Sequence, residues 1–438
     1  MLFRLVVSIF FISHFICGFS QLSVTEVGFL PEAVSNNAQC EGFVNGVPYL
    51  YSFGGIDTTK SYQGIHLRSY RYNTLTNTAT QLPDLPDTLG KIAAAANRVG
   101  DTIYISGGYH VFQGGNEVSS NKMHRFNTVT NQFMPDAPNI PQATDDHVQV
   151  VWRDSLIILI TGWKNTGNIT DVQIFNPSLN AWSIGTPIPN NHFYKSFGAS
   201  GEVLGDTIYY FGGARSSFGF TIQNIMRKGV INPTNPTQIT WSDVVIDPNA
   251  VGYRMAATTV GETLHWLGGS AVTYNYNGIA YNNSGGVPPV NRDLYATAAL
   301  DQWQSSFVTE LPMDLRGIAN VNDSLKFIGG GMIANQTVTD KVYKLNWDLS
   351  FLTNEDKNTD LSFQIFPIPF NSSFTVTLSN LETSNTLVIY DLNGKVVLQS
   401  ELTQLSTSIN ANTLAKGLYL AKIETAAGWY TKKIVKLN

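Results

Sequence analysis

Charged side chains stand just ahead of several short apolar stretches: Lys91, Asp145-Asp146-His147, Lys195, Arg254 and Arg316. Carboxylates and bases gathered at one point would bind an anion or move protons. Held apart as solvated groups, they would do neither. The Asp145-Asp146-His147 triplet has metal-ligand residue types, but neighbours on a strand point to opposite faces, so no metal site is expected. Two further stretches join aromatic and amide side chains. One opens on Tyr109 and His110, and the other, residues 270–293, carries Tyr274, Tyr276 and Tyr281 with Asn275 and Asn277. Flat amphipathic faces beside amides suit sugar rings, and packing of the loop on itself is the alternative use. The sequence has no HExxH, GxSxG, P-loop, CxxC or GxGxxG pattern, and it implies no cofactor.

These residues hang on a repeated frame. Six segments share one form, a turn, a β-rich apolar run and then glycine: NGVPYLYSFGG, GDTIYISGG, RDSLIILITG, GDTIYYFGG, GETLHWLGG and NDSLKFIGG. Their ends recur roughly 50 to 60 residues apart. Before each comes a small-residue strand such as IAAAANRV or MAATTV, and the pair reads as a hairpin about its Gly-Asp or Asn-Gly turn. Stretches such as RYNTLTNTATQLPDLP and IFNPSLNAWSIGTPIP supply two more strands about an Asn-rich turn. Four strands per repeat, innermost made of small residues, describe blades around a crowded axis.

The pattern resembles the Kelch family over roughly residues 21–349. The fold expected is all-β, a six-bladed Kelch-like β-propeller. The third copy departs from the pattern, with Thr161-Gly162 in place of two glycines, and the fourth-strand aromatic varies (Trp182, Trp241, Trp303, Phe133, but Ala79). The last repeat has a third strand at Lys341–Leu349 but no fourth, while SVTEVGFLP near the start has no partners. That N-terminal strand is expected to complete the sixth blade and leave no open edge. In a propeller the inter-blade and post-glycine loops emerge on one face, over the channel mouth. Copper-radical oxidases of this family need a Cys-Tyr cross-link and copper-binding histidines. With two cysteines, Cys17 in the apolar N-terminal segment expected to be cleaved and Cys40 alone thereafter, and scattered histidines, the chain is a poor match.

Both ends read as export signals. Arg4 and the apolar run Leu5–Ile16, followed by Gly18-Phe19-Ser20, fit a signal peptide over residues 1–20. No later stretch reaches ~18 apolar residues, so no transmembrane segment is expected after cleavage. Beyond a polar linker (residues 350–360), residues 361–438 alternate as a small antiparallel β-sandwich of Ig-like type. FPIPFNSSFTV, IYDLNGKVV, LAKGLYLAKI and the terminal KKIVK resemble the type A sorting domain of type IX secretion cargo. That resemblance puts sorting determinants at Asp391, Gly394, Lys395, Gly417, Tyr419, Lys432 and Lys433. It implies Sec export, then passage through the type IX machinery to the surface or outside.

Composition narrows the partners. The 438 residues carry a formal charge of -5, with no basic field for nucleic acid. The expected function is binding of a glycan or protein through the loop face, with Tyr109, His110, Tyr274, Tyr276, Tyr281, Lys91, Asp146, Lys195 and Arg316 as candidate contacts. Some Kelch proteins resemble sugar mutarotases acting on sialic acid or hexoses, which would make Glu202 and Arg254 the candidate catalytic pair. A structural surface adhesin is a third reading.

Overall fold

The computed structural model describes residues 21–217, 219–247, 250–300, 303–348, 363–378, 385–391, 395–425 and 428–437. The signal segment, the linker and Gly394 lie outside the described residues. The chain divides into one compact unit over Gln21–Asp348 and a second at the C-terminus.

The first unit is a six-bladed propeller. Its six innermost strands are Ala38–Val44, Ile92–Val99, Val148–Trp152, Ser200–Leu204, Ala256–Val260 and Ala319–Asn320. In each blade the order from axis to rim follows the chain through antiparallel pairs, as in Val148–Trp152, Leu156–Ile160, Val172–Asn176 and Ala181–Ile184 of blade 3. Blade 6 is the exception that closes the ring. Its rim strand is Gln21–Phe29, paired with Lys341–Asp348 from Gln21 opposite Asp348 to Phe29 opposite Lys341.

Adjacent blades pack face to face, so the core is a set of wedges between sheets rather than one central mass. Between blades 1 and 2, Tyr51, Phe53, Ala94, Ile105 and Phe126 form one such wedge, and it encloses Cys40. The fourth-strand aromatics complete these wedges. Phe133 lies 5.0 Å from Phe126, and Trp303 lies 5.5 Å from Phe211 of the preceding blade.

The double glycine has a specific task. In all six blades the N–H of its second residue donates to a lead-in carbonyl of the next blade, at 2.7 to 3.2 Å: Gly331 to Val34, Gly55 to Lys91, Gly108 to Thr144, Gly162 to Ser196, Gly213 to Gly252, Gly269 to Pro312. The first residue must then sit almost on that carbonyl. At Gly212, with φ +70°, an added Cβ would lie 2.2 Å from the Gly252 oxygen. Thr161 occupies this place in blade 3 at φ +51°. It survives because its hydroxyl donates to the Ser196 carbonyl at 3.0 Å and accepts from the Ser196 N–H. Gly212→Ala, lacking that exchange, is expected to destabilise the propeller by about 2–3 kcal/mol in thermal or denaturant unfolding. A midpoint equal to wild type would show that the close approach relaxes at little cost.

The second unit is a sandwich. Phe363–Phe366, Ser373–Leu378 and Ser406–Asn410 form one sheet, and Val396–Glu401, Thr386–Tyr390, Gly417–Thr425 and Gly428–Lys436 form the other. Phe370, Phe374, Leu387, Ile389, Ile423 and Ile434 fill the space between them. Asp391 closes a turn with Lys395, whose N–H donates to the Asp391 carboxylate at 2.9 Å. Gly417 begins the longest hairpin. The buried Tyr419 donates its hydroxyl to the Ala415 carbonyl at 2.6 Å. On the last strand Lys432 is half-buried and Lys433 exposed.

Candidate functional site

The loop face of the propeller is organised by one residue per blade. Asn36, Ala93, Asp146, Gly198, Arg254 and Asp314 sit at equivalent positions ahead of the inner strands, and all six have φ between +46° and +68°. Left-handed backbone at a bulky side chain is costly, so something must impose it. A circle of hydrogen bonds does. Asp146 N–H donates to Ala93 O, Gly198 to Asp146, Arg254 to Gly198, Leu315 to Arg254 and Asn36 to Asp314, at 2.8 to 3.2 Å. The Asn36 side-chain oxygen accepts from Ala93 N–H to complete the circle.

The ring aims its side chains across the channel mouth. Arg254 grips Asp146 through two nitrogens (3.1 and 2.6 Å) and Asp314 through the third (2.8 Å). Asp314 also accepts from Ser35 Oγ and Asn36 Nδ2. Arg316 stands 3.6 Å from Asp146. Burial alone would lower the pKa of Arg254, but Asp146 and Asp314 hold it well above its usual value. At Asp314 burial outweighs Arg254, and the carboxyl rises.

Above this plug lies a cavity of about 70 Å³ whose floor includes Arg254 and Asp146. One wall is aromatic: Trp163, Phe197, Phe220 and Tyr281, with successive ring centroids 4.6 to 5.4 Å apart at steep angles. Tyr109, Glu117 and Asp145 complete the lining. Burial raises the Asp145 carboxyl well above its usual value, and Asp146 adds to the effect. Burial likewise raises Glu117, although the residue as a whole is exposed. Tyr281 also borders a wider groove of about 600 Å³, along Thr221, Thr273, Asn282 and Asn283.

A second cavity, also about 70 Å³, lies in the channel among the inner strands. It shares no residue with the first. Gln39, His147, Gln149, Ser200, Glu202 and Arg316 give it polar walls. Burial, then Arg316, pushes His147 down to about 3, so its ring is neutral at ordinary pH. Burial lifts Glu202 up to about 7.

Residues 364–437 match the family described as "Secretion system C-terminal sorting domain". Kelch-like protein 36 of Mus musculus and of Bos taurus are each 21% identical over 172 residues, covering 39% of this chain. The match spans about a quarter (26%) of the length of those relatives. The solved structure titled "Structure of YjhT" superposes with a TM-score of 0.54 at 17% identity, covering 72% of this chain and 96% of that one. Gln21–Asp348 has the Kelch-type β-propeller fold, and a type IX sorting domain follows at the C-terminus. The chain is exported by type IX secretion to the cell surface or beyond. Among the described residues no helix is long and apolar enough to cross a membrane.

On this Kelch-type propeller the expected site residues separate. Asp146, Arg254 and Arg316 do converge at the mouth, and Asp314 joins them unforeseen. Lys91 does not. It is buried between blades 1 and 2, bonded to Asp87 (2.6 Å) and His124 (2.8 Å). Lys195 is half-buried and lines neither cavity. Tyr109 and Tyr281 line the loop-face pocket, whereas Tyr274 is fully buried beneath it, its ring 5.5 Å from the Arg254 guanidinium. Tyr274 therefore offers no face to a sugar. Tyr276 packs against the apolar cluster of Ile92 and Tyr109, and His110 bonds the Gly90 carbonyl (2.9 Å) and abuts Phe112. Glu202 and Arg254 border different cavities, so they do not form a catalytic pair. Asp145 and Asp146, adjacent in sequence, open on the same cavity while His147 faces the other, because all three precede the strand Val148–Trp152 and the left-handed backbone of Asp146 breaks strand alternation there. Trp163, Phe197 and Phe220 were missed. The aromatic directly after the glycines, Tyr109 in blade 2 and Trp163 in blade 3, was the available signal.

Glu202 carries a pH signature. Its carboxyl is raised in the folded state, so the folded protein holds that proton more tightly than the unfolded chain. Its contribution to stability is therefore lost as pH rises from about 4.5 through about 7. Glu202→Gln is expected to remove a loss of roughly 1–3 kcal/mol between pH 5 and 8, allowing for water in the channel. Parallel melting curves for the two proteins across that range would refute the assignment.

Proposed function

We propose that the protein is a secreted or surface-displayed binding protein that takes a glycan through its loop face. The observation that carries this reading is the aromatic-walled pocket over the Arg254–Asp146 plug, opening beside a Thr- and Asn-lined groove that shares Tyr281. Aromatic faces stack on the apolar side of a sugar ring, and hydroxyl and amide groups answer its hydroxyls. The ion-paired floor keeps the site shallow and pre-formed, so little ordering cost opposes binding. A glycan array probed with the purified protein is expected to show saturable retention of one sugar class. Tyr281→Ala or Trp163→Ala should weaken it at least about tenfold. A blank array from folded protein would remove the glycan reading and leave a protein ligand.

A second reading rests on Glu202. A carboxyl that titrates near pH 7 in a polar cavity has the property required of a general acid–base, and supports a sugar mutarotase. It predicts faster mutarotation of sialic acid or hexoses with protein present, abolished by Glu202→Gln. Equal rates with and without protein would end it.

A further inference from the structure

The charges around the loop-face pocket do not balance. Arg254, the only basic residue in its lining, is spent on Asp146 and Asp314. Asp145 and Glu117 open on the same cavity and, among the described residues, form no ion pair with a Lys or Arg. Asp145 is 3% exposed, and among the described residues only Ser119 donates to its carboxylate, through Oδ2 at 2.5 Å. Its Oδ1 accepts no hydrogen bond there and lies open to the cavity, where a donor on a ligand would reach it. The rings of Trp163, Phe220 and Tyr281 line the same cavity, and aromatic faces carry negative potential.

Aromatic faces together with under-partnered carboxylates form a site for a cation. A cation beside them would offset the burial that raises both carboxyls, which neither a neutral sugar nor an anion would do. The cavity has room for a small charged group. The adjoining groove, of about 600 Å³, has the volume and the hydroxyl and amide groups for the rest of a chain. We propose that the pocket receives the ammonium group of an amino sugar, with neighbouring sugar residues lying along the Thr221–Asn282 groove. This rests on the glycan-binding reading and specifies its ligand class.

The test is calorimetric titration of the full-length protein with a glucosamine pentamer and with its fully N-acetylated counterpart at pH 6. The free amine is expected to bind at least tenfold tighter. Glu117→Gln, at an exposed residue, and Asp145→Asn, of equal shape, should each reduce that preference about tenfold while leaving the acetylated pentamer unaffected. Equal affinities for the two pentamers, or a preference that both variants keep, would overturn the proposal. Binding of some other sugar on the array with neither pentamer bound would also overturn it, while the glycan reading stands. Silence of every glycan would remove both. Thermal melts of the two variants separate a lost contact from a lost fold.

Discussion

Deleting Gln21–Phe29 is expected to open the propeller and remove roughly 5 kcal/mol or more of its stability. The strand makes eight residue pairs with Lys341–Asp348, each adding on the order of one ladder hydrogen bond of about 0.5–1.5 kcal/mol net. Val27 packs against the wedge between blades 6 and 1, and its carbonyl accepts the Tyr72 hydroxyl at 2.8 Å. Without the strand, Lys341–Asp348 becomes a naked edge, an invitation to pair with another copy. The variant should therefore melt well below wild type and elute as oligomers in size-exclusion chromatography. A peptide of residues 21–30 added in excess should restore part of both. A monomeric variant with an unchanged melt would mean that the blade wedges alone hold the ring shut.

This closure was legible in the sequence because it is a matter of counting. Six hairpins ending in glycine demand six outer pairs, and only the last lacked a fourth strand. The small-residue inner strands and the sorting motifs were legible for a similar reason, since type and spacing fix them locally. The candidate site was not, for reasons specific to its residues. The left-handed ring positions are filled by Asn, Ala, Asp, Gly, Arg and Asp, and no residue preference marks them. Their backbone is imposed by the neighbouring blade, which lies 50 to 60 residues away in sequence. Tyr274 was read as a sugar platform from its loop, but it is the shelf beneath Arg254. A tyrosine in a long loop carries no mark of which way the loop folds. Glu117 and Asp145 converge from the blade 2 loop and the blade 3 lead-in, a meeting that only the propeller geometry creates.

Arg254→Met is expected to cost about 3–5 kcal/mol, because it leaves Asp146 and Asp314 buried without their shared cation. Methionine meets the same left-handed backbone that arginine already tolerates at φ +49°, so the change isolates the charge. Among the described residues Asp146 would keep only Arg316, at 3.6 Å, and Asp314 the hydroxyls of Ser35 and Tyr274 and the amide of Asn36. The sign with pH follows. With the cation gone, Asp314 holds its proton more tightly still in the folded state, so the variant's deficit grows as pH rises through its raised value and shrinks toward pH 4. Adding Asp146→Asn and Asp314→Asn should recover much of the loss at pH 7, since asparagine tolerates the left-handed backbone and keeps the shape. Leucine at those positions would remove the charge but add backbone strain. A single variant that melts within about 2 °C of wild type at pH 7 would mean that the backbone circle alone sets the channel mouth. The Arg254 pair would then be free to serve the ligand, and the pocket floor would count as a binding group instead of a strut.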